Sequence, residues 1–148
     1  MKLVFLSVFL VDLLQSQGMC VREPIFTGVA SGHVLFHHQR QYRVLSRGTV
    51  TIRDSGHMNQ QVMAVEIGPD GSFQLNGLKP GRYVLDARSP SLISVSVDYR
   101  VALGKKSKPS SALLILLGAD ATKPCGGGSV AVVSLAKIED VLAEAKKP

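Results

Sequence analysis

Three reverse-turn signals crowd the middle of this chain, at Asp70-Gly71, Asn76-Gly77 and Pro80-Gly81. Each has its own physical reason. Glycine, and to a lesser extent asparagine and aspartate, takes the positive φ angles of a tight hairpin, so Asp70-Gly71 is expected to join two strands. Proline sets φ at the second position of a type II turn and glycine takes the positive φ at the third, which is the role expected of Pro80-Gly81. No helix runs through such a stretch. The residues between the turns alternate instead: Phe73 and Leu75 point one way, and Tyr83, Leu85 and Ala87 resume that face. Leu78 stands alone between two turns and is expected to plug an open end of the core.

The same period of two recurs along the chain. Ile93, Val95, Val97, Tyr99 and Val101 alternate with Ser94, Ser96, Asp98 and Arg100, the pattern of a strand with one buried and one wet face. Val34 and Phe36 oppose His33 and His37; Val50 and Ile52 oppose Thr51 and Arg53; Met63, Val65 and Ile67 share a face. Leu113 to Leu117 is continuously apolar, as expected of a strand covered on both sides, with a buried helical turn as the alternative. Residues 38–47 are polar and basic and read as a loop. Residues 19–32 read as an entry segment with a short edge strand, and 129–135 as a last strand. Ile138, Val141, Leu142 and Ala145 fall at helical spacing, predicting a short amphipathic helix over 136–146.

Residues 70–85 resemble the carboxypeptidase regulatory-like domain, a small transthyretin-like (prealbumin-like) β-sandwich. Asp70, Gly71, Phe73, Leu75, Gly77, Leu78, Pro80, Gly81, Tyr83 and Leu85 carry the similarity. A looser match runs from Gly28 to Val101, with Gly32-His33-Val34 resembling the family's opening strand and Thr49 to Ile52 its second. The resemblance implies an all-β, seven-stranded antiparallel Greek-key sandwich. It also implies an accessory module of secreted and cell-envelope proteins, with no catalytic residues to carry over. Asp70, Gly71, Gly77, Pro80 and Gly81 are then structural turn residues.

The first eighteen residues have the layout of a secretory signal. Lys2 is a positive start, Leu3 to Leu14 is mostly apolar, and Ser16 and Gly18 are the small residues a signal peptidase reads. Asp12 interrupts the apolar run, so a buried first strand or a misplaced gene start is the alternative. The domain plan is therefore a signal over 1–18, a sandwich over 19–135, and a helix with its tail over 136–148. No membrane span is expected in the mature chain. The two cysteines, Cys20 and Cys125, suit a disulfide in an oxidising compartment; closing so long a loop contributes about 4–5 kcal/mol. Lipidated Cys20 and two free thiols are the alternatives. The expected location is secreted or periplasmic.

The formal net charge is +6, but the arginines are scattered and aromatics make up only 5% of the 148 residues. A nucleic-acid surface calls for a concentrated basic stripe with stacking rings; Lys105-Lys106-Ser107-Lys108 is the densest run, and no nucleic acid is expected. His33, His37, His38 and His57 lack clustered carboxylates or thiolates and read as surface residues. Gly118 to Ser129 lacks the Lys-Ser/Thr close of a phosphate loop. Ser, His and Asp occur without a nucleophile elbow. The chain thus reads as a non-enzymatic module without cofactor or metal, binding another envelope or secreted protein through sheet edges or end loops. A small-ligand or carbohydrate-binding sandwich is the alternative, to be favoured by a pocket of convergent polar groups.

Overall fold

A computed structural model describes residues 25–38, 41–57, 60–101, 111–118 and 128–146. Ten strands and one helix follow in order: β1 (Ile25–Thr27), β2 (Ser31–His38), β3 (Gln41–Val44), β4 (Thr49–Asp54), β5 (Gln61–Glu66), β6 (Ser72–Gln74), β7 (Gly81–Ser89), β8 (Leu92–Val101), β9 (Ser111–Leu117), β10 (Ser129–Ser134) and α1 (Leu135–Ala145). They form two sheets. Sheet A has the order β1-β8-β7-β4-β5; sheet B runs β10-β9-β2-β3, with β6 also on β2. The all-β sandwich with a short C-terminal helix is as the sequence predicts.

Two expectations are corrected. The described strands number ten rather than seven, and the sheets are mixed: β1 runs parallel to β8, and β2 parallel to β9. Parallel neighbours need a long crossover, and the chain between β2 and β9 builds all of β3 to β8 before it returns.

The sheets face each other across an aliphatic interior. Val50, Ile52, Leu85, Ala87, Val95, Val97 and Tyr99 from sheet A meet Val34, Phe73, Leu113, Ile115 and Leu117 from sheet B. Alternation in β8 is as expected, with Val95, Val97 and Tyr99 buried between exposed Ser94, Ser96 and Asp98. The apolar run of β9 is also explained. Leu113, Ile115 and Leu117 fill the interior, and Ala112 on the opposite face is 3% exposed because α1 packs against β9, β10 and β3. Leu35, opposite Val34 on β2, is likewise fully buried. The helix begins where Ser134, in extended conformation, accepts a hydrogen bond from the Lys137 amide at 3.3 Å. It buries Ile138 and Ala145, with Leu142 packed beside them.

Part of the stretch read as a loop is a strand. Gln41–Val44 pairs antiparallel with Leu35–His38, and Tyr42 sets its ring edge-on to its cross-strand partner His37, centroids 5.4 Å apart. The pairing partner, not the polar composition, makes β3 a strand.

The three turns divide in role. Gly71 has φ +78°, and its amide donates to the Gly68 carbonyl while the Gly68 amide donates to the Ser72 carbonyl, the bonding of a three-residue hairpin loop closed by a left-handed glycine. Yet it joins β5 of sheet A to β6 of sheet B, so it turns the chain between layers rather than within one. Gly77 has φ +77° as expected. Gly81 does not take positive φ; it is the first residue of β7, paired with Val101. Leu78 packs against the core, and the Tyr83 hydroxyl donates to the Lys79 carbonyl at 2.8 Å.

Tyr99 is 1% exposed, and its hydroxyl donates to the Val29 carbonyl. Burial pushes its pKa up to about 12. The unfolded chain ionises this phenol near its ordinary value of about 10, so the stability it protects is complete below that pH and is lost as pH rises toward 12. Urea unfolding between pH 9 and 12 should show a loss of about 2 kcal/mol that Tyr99→Phe removes.

Candidate functional site

Three surface features remain once the core is accounted for: a polar sheet face, a groove beside the helix and an open edge. The outward face of sheet A carries residues that alternate with the core set. Thr51, Asp86 and Ser96 lie on one cross-strand row; Arg53, Val84 and Asp98 lie on the next; Arg82 and Arg100 form a third. Asp86 is only 4% exposed although it points away from the interior. Arg53 covers it, its Nη2 meeting Asp86 Oδ2 while its Nε is buried with no hydrogen-bond partner. A buried carboxylate needs such a partner.

The groove lies where the β2–β3 hairpin, the Pro69–Asp70 turn and the end of α1 converge. Its volume is about 680 Å³, with Phe36, Val44 and Ala145 as apolar lining and His38, Arg43, Asp70 and Lys146 as polar groups. Asp70 is held in the turn, its Oδ1 accepting from the Ser72 hydroxyl at 2.6 Å and the Ser72 amide at 3.1 Å. Those two bonds, the hydroxyl first, hold its carboxyl below the usual range.

His33 is half-buried, contrary to its reading as a surface residue. Its register partners are Ser72 of β6 and Leu114 of β9. Its Nδ1 is buried without a hydrogen-bond partner. Burial pulls the pKa down; Asp70 opposes this and Lys146 adds to it. Neutral imidazole is therefore the form the fold accommodates, and protonation on acidification works against it. His37, His38 and His57 are exposed. Among the described residues, no three His, Cys, Asp or Glu side chains gather to hold a metal ion.

Of the strands that end a sheet, β1, β3, β5 and β10, β5 is bonded to β4 on one side and has no second strand neighbour among the described residues. Val62, on its outward side, is 49% exposed.

Of the residues singled out in the sequence, Asp70 and Gly71 reach the groove region, where Gly71 packs its backbone against Val34 and Val44. Gly77 sits in open space, and Pro80 and Gly81 lead into β7. Cys20 and Cys125 lie outside the described residues. The Arg53–Asp86 pair, the Arg82–Arg100 row and the groove's His38, Arg43 and Lys146 were not anticipated. Alternation places Arg53 and Arg100 on wet faces, but cross-strand register is needed to say what stands beside them. No described helix is long and apolar enough to cross a membrane. Comparison with protein-family models, curated proteins and solved structures finds no significant match.

Proposed function

We propose that this chain is an exported, non-catalytic structural and interaction module of the cell envelope that holds another protein along a sheet edge. The observation that carries this reading is β5. A strand with one neighbour offers its outer row of N–H and C=O groups to an incoming extended segment. Edges that must stay single carry charges, proline or bulges; Gln61–Glu66 has no lysine or proline, its one charge is Glu66 at the strand's end, and the register shift against β4 turns Val62 out to solvent beside Ala64. Part of the proposal is kinship with the transthyretin-like sandwiches of carboxypeptidase regulatory-like domains. The motif supports this, since Phe73, Leu75, Tyr83 and Leu85 all enter the core. Export through a signal over residues 1–18, to the periplasm or the exterior, belongs to the same reading. Mass spectrometry of the exported chain would read its first residue, any lipid on Cys20 and any bond to Cys125.

The test is a crosslinking map. A photoreactive residue at Val62 should give a discrete adduct in envelope extract, and one at Ser96, in the middle of the opposite half of the sheet, should give none. Val62→Lys, with the probe moved to Ala64, should abolish the adduct. Equal labelling at Val62 and Ser96, or none at either, would defeat the edge reading.

The groove favours a second reading, a small-ligand site. Its volume falls in the range of ligand pockets, and Arg43 and Lys146 outnumber the Asp70 carboxylate among the charged groups beside its apolar lining. A ligand with an anionic head and an apolar body fits that lining. Protection of His38 and Arg43 by a small molecule, with Val62 unlabelled, would select this reading over the first.

A further inference from the structure

We infer that β10 is the edge through which this chain pairs with a second copy of itself: two β10 strands join antiparallel about a two-fold axis and continue sheet B from one protomer into the other. β10 ends sheet B, bonded to β9 on one side and without a second strand neighbour among the described residues. Its six residues, Ser-Val-Ala-Val-Val-Ser, hold no charge, proline or glycine, the composition that most invites a further strand. Of the other strands that end a sheet, β3 carries Arg43, β5 carries Glu66 and β1 is three residues long. Apolar surface gathers at the same place: Val132 is 40% exposed and Leu135, the first residue of α1, 42%. Charge and register together select a second copy as the occupant. A chain of formal charge +6 repels itself, so it tolerates self-contact best where neither copy brings a charge to the facing row. A two-fold axis normal to the sheet keeps inward side chains on the inward side. Val130 and Val132 face inward, in register with Ile115 and Leu113. Pairing about Ala131 sets Val130 of each copy against Val132 of the other and covers the exposed valine; pairing about Val132 sets that residue against itself. In both registers every facing pair is built from serine, alanine and valine. The contact uses one β10 from each copy and therefore closes at two. An edge about 20 Å long suits a reversible dimer rather than an obligate one. β10 and β5 lie in different sheets, so failure here leaves the β5 reading standing.

The experiment follows the mass of the full chain by sedimentation equilibrium as its concentration rises. Mass should climb from one copy to two, with half-dissociation at about 1–100 µM, and should stop there. Val132→Lys should raise the dissociation constant at least about tenfold, because it brings like charges together across the axis. Ala131→Lys, at a position exposed in the single copy, should do the same. The dilute variants should keep the wild-type circular dichroism, which separates lost pairing from lost folding. Mixing Val132→Lys with Val132→Glu should restore the dimer, since the opposite charges then stand directly or diagonally across from each other. A merely structural role for Val132 gives no such rescue. Val62→Lys, on the open edge of sheet A, should leave the dimer unchanged. A monomer throughout, growth past two copies, association that survives Val132→Lys, or association lost with Val62→Lys would each overturn the proposal.

Discussion

Gly32→Val should cost about 3–5 kcal/mol and leave the protein close to unfolded at ambient temperature. A Cβ at residue 32 would lie 2.1 Å from the Leu113 carbonyl oxygen and 2.8 Å from the Leu113 Cβ. The obstruction is main chain in the central ladder, and it cannot step aside. Gly32 is paired on one side with Phe73 and on the other with Leu113, so relief means parting β2 from β9. Ordinary overpacking costs about 1–3 kcal/mol because side chains give way; here they are not what blocks. Gly77→Ala is the control. It meets nothing within 4 Å but sits at φ +77°, so it should cost only about 1–2 kcal/mol. Urea midpoints should rank Gly32→Val, and Gly32→Ala with it since the Cβ alone makes the clash, below Gly77→Ala. The reverse order would contradict the parallel pairing of β2 and β9.

Arg53→Met should destabilise by about 3–5 kcal/mol at neutral pH, because it strands Asp86 as a buried charge without its partner. The double variant Arg53→Met/Asp86→Met should recover most of that loss, since a buried ion pair is worth little against a well-packed apolar pair. The full double-mutant cycle by urea unfolding gives the coupling directly. A coupling near zero would mean that Asp86 reaches solvent despite its 4% exposure.

These two variants probe what the residue order alone left open. Alternation along β8 assigned Val95, Val97 and Tyr99 to the interior, and the structure agrees. Helical spacing of Ile138, Leu142 and Ala145 placed α1 within one residue of where it begins. The continuous run in β9 announced a strand covered on both faces without naming the helix as the cover. By contrast, Gln41–Val44 is only four residues long within a polar, basic stretch, so the alternation of Tyr42 and Val44 with Gln41 and Arg43 is too short to stand out, and its strand exists because β2 offers a ladder to pair with. Pro80-Gly81 looked like a type II turn, but pairing with Val101 draws Gly81 into β7. The polar sites were the least legible. Arg82 and Arg100 are eighteen positions apart, and the groove draws on residues from Phe36 to Lys146.

Local residue order determined the periodicity of the strands, the bends at Gly71 and Gly77 and the apolar stripe of the helix, because each depends on φ preferences or on side chains a few positions apart. Only the tertiary structure decided that the Asp70-Gly71 turn crosses between layers, that β2 and β9 run parallel, and which charges meet on the outer face of sheet A. Those outcomes depend on pairing register between distant segments. A shift of one residue in that register would exchange every inward side chain for an outward one.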